Sequence, residues 1–243
     1  MSWCLGWFGV RGVDAARVID TLHATCSSAR RDDVPEIFRV FDNVVSSKPR
    51  AAWAEVAPRW SLVLLEGSGS QYDVPAHSAP SWAQAVSQRL GVPTMSFFLL
   101  EGGWSYAVFE NGREAVAQET YTLPVPQVYG DRARAAQLLG VDASVFDQYE
   151  RALQEGREEP FDGDEFAPTD EWGHTDFARH FDLVYPADPT GGVVYRPTAS
   201  EIASAGIQWK GLAPRLDMPE PPPHPAAKGE IDFGKFPSGD DPF

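Results

Sequence analysis

One segment of the chain, residues 95–122, constrains the fold more than any other. It reads MSFFLLEGGWSYAVFENGREAVAQETYT, with two short pairs, Gly102-Gly103 and Asn111-Gly112, between runs rich in aromatic and β-branched residues. Both pairs tolerate a positive φ, and this arrangement is the strongest short-range signal for β-hairpins. The segment therefore predicts three antiparallel strands joined by two tight turns.

The turn lengths also predict which side chains share a face of this meander. A loop at Gly102-Gly103 places Leu99 opposite Tyr106, and a loop at Asn111-Gly112 places Val108 opposite Ala115. One predicted face carries Phe97, Leu99, Tyr106, Val108, Ala115 and Ala117, and the other carries Phe98, Leu100, Ala107, Phe109 and Val116. Since both faces are apolar, we expect the sheet to be covered on both sides.

The rest of the chain supplies further strands and several helices. Apolar runs of strand length predict strands near residues 3–10 and 60–66. Capping residues and helical spacing predict helices after Asp14, at 79–90, 131–139 and 142–154, and after Thr175. Ile37, Phe38, Phe41, Val44 and Val45 recur near a period of 3.6, which favours a helix there, although their β-branched content leaves a strand open.

The predicted fold class is therefore α+β. A central, mostly antiparallel sheet, built from the meander at 95–122 and the strands near 3–10 and 60–66, is covered by helices. A helical or irregular acidic region follows at the C-terminal side. The predicted organisation is an α+β core domain at 1–156, a mostly irregular acidic extension packed on the core at 157–216, and a flexible tail at 217–243, which holds seven prolines.

Charge restricts the partners that such a chain can bind. Its 20 basic and 35 acidic residues give a formal net charge of −15, and residues 140–190 hold 14 Asp and Glu against 3 Arg. A surface this acidic repels phosphate backbones, which argues against a nucleic-acid partner. Two interpretations stay open for the acidic face between Glu155 and Asp182, a solvated surface or an attractant for a basic partner protein.

The second interpretation identifies candidate partner-binding residues. They combine acidic side chains of this region with two tryptophans expected to be exposed, one at a strand start and one in an irregular segment. The candidates are Trp104, Glu158, Glu159, Asp162, Asp164, Glu165 and Trp172.

Neither a membrane segment nor a cofactor site is expected. No apolar run approaches the roughly 20 residues that span a bilayer, and the N-terminus lacks the features of a signal peptide, which predicts a cytoplasmic protein. Cys4 and Cys26 are too few for a disulfide framework or a zinc cluster.

One group of residues raises the alternative of a metal-dependent hydrolase. Imidazoles and carboxylates, the usual ligands of divalent metals, lie close together in the sequence at His174, Asp176 and His180. The two histidines are six positions apart, so a helix would not present them on one face as an i, i+4 pair does. A metal site is therefore not the preferred prediction, and no catalytic residue is assigned.

Between residues 60 and 121 the chain resembles a group of bacterial proteins that are similar to immunity proteins of toxin systems. The likeness rests on the strand at Trp60, the helix exit SQRLGVP at 87–93, the apolar strand that follows, and the hairpin WSYAVFENG at 104–112. It implies a cytoplasmic, non-enzymatic binding module, and it carries over no catalytic residues. The favoured hypothesis is an immunity-like neutraliser of a basic partner, such as a toxin; a scaffold whose tail makes the contacts is a further alternative.

Overall fold

The computed structural model describes residues 4–29, 34–42, 60–66, 78–100, 103–119 and 127–202. These residues contain one antiparallel sheet whose eight strands follow the spatial order β7-β6-β5-β4-β1-β3-β2-β8. The strands are β1 Cys4–Arg11, β2 Ile37–Phe41, β3 Trp60–Glu66, β4 Thr94–Leu100, β5 Gly103–Glu110, β6 Arg113–Glu119, β7 Gln127–Gly130 and β8 Val193–Tyr195. The predicted α+β class with a central antiparallel sheet is confirmed.

Helices cover both faces of the sheet. They are α1 Ala15–Cys26, α2 Ala79–Leu90, α3 Arg132–Leu139, α4 Ser144–Glu155 and α5 Gly173–Arg179. Leu22 of α1 and Trp82 of α2 share a buried cluster with Phe8 of β1, whereas Phe146 of α4 and Phe177 of α5 share another with Trp7. Consecutive residues of β1 thus point to opposite covered faces, as expected for a sheet that is apolar on both sides.

Local signals in the sequence account for several helix ends. Asp14 Oδ1 accepts a hydrogen bond from the N–H of Arg17 at 2.8 Å, and Asp131 Oδ1 does the same for Arg134 at 2.9 Å. Gly91, Gly140 and Gly156 end α2, α3 and α4 in the left-handed conformation. These caps satisfy backbone groups that a helix terminus leaves unpaired, which is why the boundaries could be predicted.

The helix predicted after Pro35 is wrong over the residues that the structure describes. Residues 37–41 form β2, which pairs with β3 on one side and β8 on the other. Phe38 and Val40 are buried while their neighbours are partly exposed, so burial alternates with the period of a strand. Pairing within the sheet overrides a weak helical pattern in a stretch rich in β-branched and aromatic residues. Val44 and Val45 lie outside the described residues.

The meander exists, but its register differs from the prediction in two places. Leu99 pairs with Trp104, whereas the prediction placed it opposite Tyr106. This shift of two residues leaves each side chain on its predicted face of the sheet. The connection between β4 and β5 is then Glu101 and Gly102, which lie outside the described residues. Between β5 and β6 a bulge at Ala115 shifts the pairing by one, so that Val116 lies opposite Val108. Val116 therefore faces the cluster of Trp7, and Ala117 faces that of Phe8, the reverse of the prediction.

The bulge is coupled to the start of α3. The carbonyl of Ala115 accepts a hydrogen bond from the N–H of Asp131 at 2.7 Å, beside Gly130 with a φ of 93°. A Cβ on Gly130 would lie 2.2 Å from the Ala115 oxygen, so no other residue fits there without moving the backbone.

We expect Gly130→Ala to lower the free energy of unfolding by about 2–3 kcal/mol, because it adds a backbone clash to the strain of a positive φ. The matched control is Gly163→Ala, which has a φ of 88° but no atom within 4 Å of its Cβ position and should cost about 1 kcal/mol. Chemical denaturation measures both. Equal losses would show that the contact with Ala115 is not what requires a glycine.

The acidic region belongs partly to the same sheet and core. Residues Met1–Trp209 form one compact unit and Lys210–Phe243 a second, which lies outside the described residues together with the predicted tail at 217–243. Within the first unit, β8 pairs with β2, and Phe177 and Phe181 are buried in the cluster of Trp7. Among the helices of the described residues, none has the length and apolar content to cross a lipid bilayer.

Candidate functional site

Residues 157–172, here called the acidic loop, connect α4 to α5 and carry seven carboxylates and one arginine. Most of these carboxylates are exposed. Arg157 pairs with Glu155 at 2.8 Å, and Arg179 of α5 lies 3.3 Å from Glu165. The predicted candidates Glu158, Glu159 and Asp162 are exposed and form no ion pair with any described residue. At these three positions the loop thus presents negative charge to solvent that no basic side chain of the described residues pairs.

Asp164 is not part of that exposed surface, contrary to the prediction that it contacts a partner. It is only 6% exposed. Its Oδ2 accepts hydrogen bonds from the Tyr149 hydroxyl at 3.0 Å and from the N–H of Phe161 at 3.2 Å, and His180 Nε2 lies 3.1 Å from Oδ1. Burial raises the pKa of Asp164, but the bonds from His180, Tyr149 and Phe161 outweigh it and hold the pKa below its ordinary value.

Asp176 of α5 holds the middle of the acidic loop. Its Oδ2 accepts hydrogen bonds from the N–H groups of Glu165 at 2.6 Å and Phe166 at 2.7 Å, and its Oδ1 forms an ion pair with Arg179. The side chain is fully buried. Through these two backbone hydrogen bonds to Oδ2 and the ion pair with Arg179, Asp176 fastens the loop to the helix.

Trp104 fastens the loop from the sheet, and the prediction that it is an exposed contact residue is wrong. Its side chain is 0% exposed, and its Nε1–H donates to the carbonyl of Pro168 at 2.9 Å. The loop passes so close to α5 that a Cβ on Gly173 would lie 2.5 Å from the Ala167 oxygen. The start of β5 is therefore an interior anchor for the loop.

Five rings form what we call the aromatic cluster, at the end of the acidic loop: Trp7, Phe97, Trp172, His174 and Tyr185. The His174 ring centroid lies 5.7 Å from that of Trp7, 5.9 Å from that of Trp172 and 6.1 Å from that of Tyr185. Trp172 is 37% exposed, in agreement with the prediction of an exposed tryptophan, and Tyr185 is partly exposed. The cluster thus reaches from the core to the surface.

His174 is buried in this cluster, and only one of its two ring nitrogens has a hydrogen-bond partner among the described residues. Its Nδ1 lies 2.7 Å from the carbonyl of Glu171, which can only accept, so Nδ1 carries the proton. Its Nε2 and the Nε1 of Trp7 are buried and have no hydrogen-bond partner in the part of the chain that the structure describes. Burial lowers the pKa of His174 to about 4, which keeps the ring neutral near pH 7.

The three residues of the alternative metal site do not converge. His174 bonds to a backbone carbonyl, Asp176 to backbone N–H groups and Arg179, and His180 to Asp164. Within the described ranges, no group of three or more His, Cys, Asp and Glu side chains has an arrangement that could hold a metal ion. The side chains of His174, Asp176 and His180 each bond to a residue of the acidic loop. Their arrangement therefore does not support the hypothesis of a metal-dependent hydrolase.

A concave surface lies apart from the acidic loop, beside the turn between β5 and β6. It is a groove of about 640 Å³, lined by Glu110, Asn111, Arg113, Glu114, Ala115, Gly130, Asp131 and Arg134. Its charges are of both signs and largely engaged, since Arg134 Nε donates to Glu110 at 3.0 Å and Asp131 caps α3. Three carboxylates and two guanidinium groups line the groove, a mixture of charges that favours no single kind of ligand.

Sequence reasoning missed Tyr149, Trp7 and Tyr185. Each looks like an ordinary aromatic core residue in the sequence, and no spacing signal connects it to the acidic loop.

Comparisons with models of protein families, with curated proteins and with solved structures found no match to this chain. Only the chemistry of the site therefore indicates a function for this chain.

Proposed function

We propose that this protein is a non-enzymatic binding module that holds a basic partner protein on the acidic loop, and that it acts as an immunity-like neutraliser of that partner. The observation that carries the proposal is the combination of exposed carboxylates that form no ion pair with a described residue, among them Glu158, Glu159 and Asp162, with the exposed ring of Trp172. Binding surfaces often combine an aromatic anchor with a charged rim.

The attachment of the loop supports the same proposal. Tyr149 of α4, Asp176 of α5 and Trp104 of β5 hold the loop through hydrogen bonds of 2.6–3.0 Å. A loop that is ordered before binding loses little conformational entropy when a partner docks, which favours affinity. The uncompensated charge would speed the encounter with a basic protein and would make binding sensitive to salt.

We expect the triple variant Glu158→Gln, Glu159→Gln, Asp162→Asn to bind an arginine-rich peptide about tenfold more weakly than the wild type at low salt, because three favourable charge interactions are lost. Isothermal titration at two salt concentrations measures the effect, and the difference should shrink at high salt.

The matched control is Asp20→Asn, Glu36→Gln, Asp42→Asn, which removes the same charge from exposed positions elsewhere. If both triple variants weaken binding equally, net charge rather than the acidic loop attracts the peptide, and the proposed binding surface is wrong.

The neutraliser role has its own test. Co-expression with the toxin-like product of a neighbouring gene should restore growth, and the two proteins should co-purify through the acidic loop. No rescue and no co-purification would contradict the neutraliser role.

Deletion of residues 217–243 should leave partner binding intact. If the deletion abolishes partner binding, the result would favour the alternative of a scaffold whose tail makes the contacts.

A further inference from the structure

Gln118 of β6 is a core glutamine whose side-chain amide forms no hydrogen bond with any described residue. It is 1% exposed, and neither its amide nitrogen nor its amide oxygen has a partner in the part of the chain that the structure describes. The hydroxyl of Tyr106, a residue only 3% exposed, has none there either. Buried polar atoms almost always bond to protein or to ordered water, so three unpaired atoms here are unusual.

The bulge at Ala115 brings these two side chains together. Because it shifts the pairing of β6 by one residue, Gln118 instead of Ala117 lies directly opposite Tyr106, on the face that α4 and α5 cover. Directly opposed residues of antiparallel strands have their Cβ atoms about 4.5–5.5 Å apart. On its other side Gln118 lies opposite Val128 of β7, whose side chain offers no polar atom. The amide and the hydroxyl therefore belong to one interior site.

The chemistry of this site favours a neutral occupant. Burial raises the pKa of Tyr106, so its hydroxyl keeps its proton and can both donate and accept, while the amide has two N–H donors and one acceptor oxygen. The charged side chains that act on this pKa are Arg132, Glu150 and Asp147, and Arg132 forms ion pairs with the two carboxylates. An uncharged molecule that both donates and accepts hydrogen bonds therefore suits the site.

We propose that Gln118 and Tyr106 form an internal hydration site, in which bound water bridges the side-chain amide to the hydroxyl. Water both donates and accepts, and a buried water molecule makes about three hydrogen bonds to groups that would otherwise be unpaired. The site lies between the sheet and α4, since the Tyr106 ring also packs on Phe146 at a centroid distance of 5.9 Å. Water binds there whether or not the protein holds a partner.

Water-selective NMR spectra of the full chain test the occupant directly. We expect NOE cross-peaks from the Gln118 side-chain N–H protons to water that tumbles with the protein, and the spectrum of Gln118→Met identifies these signals by their loss. Rotating-frame spectra separate dipolar contact from proton exchange, and Tyr106→Phe removes exchange through the hydroxyl. No cross-peak between the assigned amide protons and water in the wild type would overturn the proposal.

The same two variants test the hydrogen bonds by their effect on stability, since each removes polar atoms with little change of volume. If water pairs these atoms, each variant should lower the equilibrium constant for folding about fivefold to tenfold in urea denaturation. If the atoms are unpaired in a dry core, the apolar replacements should raise that constant instead, which would contradict the proposed site. The matched control is Gln154→Met, the same change at an exposed position of α4, which should alter the constant about twofold or less.

The double variant Tyr106→Phe, Gln118→Met shows whether water connects the two residues. Either single change removes a partner of the shared water, so the combined loss should be smaller than the product of the two single losses. Losses that simply multiply would mean that no water bridges these side chains. Coupling without water cross-peaks would indicate a direct bond between the amide and the hydroxyl, and would also rule out the hydration site.

Discussion

Replacing Asp176 with alanine is expected to lower the free energy of unfolding by about 3–5 kcal/mol. The carboxylate is fully buried, accepts from the N–H groups of Glu165 and Phe166, and pairs with Arg179. Its removal leaves two backbone donors without their acceptor and takes away one of the two carboxylate partners that Arg179 has among the described residues. Such losses cost more than the net value of the bonds, because the orphaned groups were desolvated on folding.

Urea denaturation measures the loss, and hydrogen exchange shows where it acts. The amides of Glu165 and Phe166 should lose protection first, since they donate to Asp176. The control Asp170→Ala removes an exposed carboxylate of the same loop, whose Oδ1 accepts from the N–H of Trp172 at 2.8 Å, and should cost less than about 1 kcal/mol. If Asp176→Ala does not fold, Asp176→Asn, which keeps an acceptor oxygen, provides the measurement. A cost below 1 kcal/mol would mean that Asp176 does not hold the loop.

The second large effect is a pH dependence of stability that originates in His174. The folded-state pKa is lowered from 6.5 to about 4 by burial, so the unfolded chain binds a proton at a pH where the folded protein does not. The stabilisation is therefore fully present above pH 6.5 and is lost as the pH falls from 6.5 towards 4. The difference between the two pKa values corresponds to about 3 kcal/mol.

Denaturation curves between pH 4 and pH 7 measure this contribution by comparison with His174→Asn, whose side-chain amide can still donate to the Glu171 carbonyl but does not titrate. Other titrating groups contribute to both curves and cancel in the difference. The stability difference between the wild type and the variant should narrow by about 3 kcal/mol from pH 6.5 to pH 4. A constant difference would show that His174 is not held neutral by burial. Asp164, whose pKa is lowered, adds a separate loss of stability at still lower pH.

Much of the fold could be predicted because its signals are local. Asn111 and Gly112 adopt positive φ values of 51° and 73°, and Glu110 pairs with Arg113 as the turn requires. Asp14 caps α1, and glycines end three of the helices, since these residues act on backbone groups a few positions away. The bulge at Ala115 could not be predicted, because its carbonyl is engaged by Asp131, 16 positions further along the chain.

The candidate site could be predicted only as a region. Trp104 carries no local sign that its indole N–H bonds to Pro168, 64 positions away, and it was expected to be exposed. The three residues of the alternative metal site instead bond to different partners, namely backbone groups, Arg179 and Asp164, and these partners are distant in the sequence or depend on the local backbone conformation. Side-chain type indicates which bonds a residue can form, and the tertiary structure selects which ones it does form.

The sequence by itself determined the antiparallel meander, the caps of the helices and the concentration of negative charge at residues 157–172. These features depend only on residues that lie close together in the sequence. Only the tertiary structure decided which carboxylates of that segment remain on the surface, since burial depends on partners supplied by α4, α5 and β5. Asp164 is buried because Tyr149 of α4 and His180 supply hydrogen-bond partners for it, whereas Glu158, Glu159 and Asp162 remain in water, which solvates their charges.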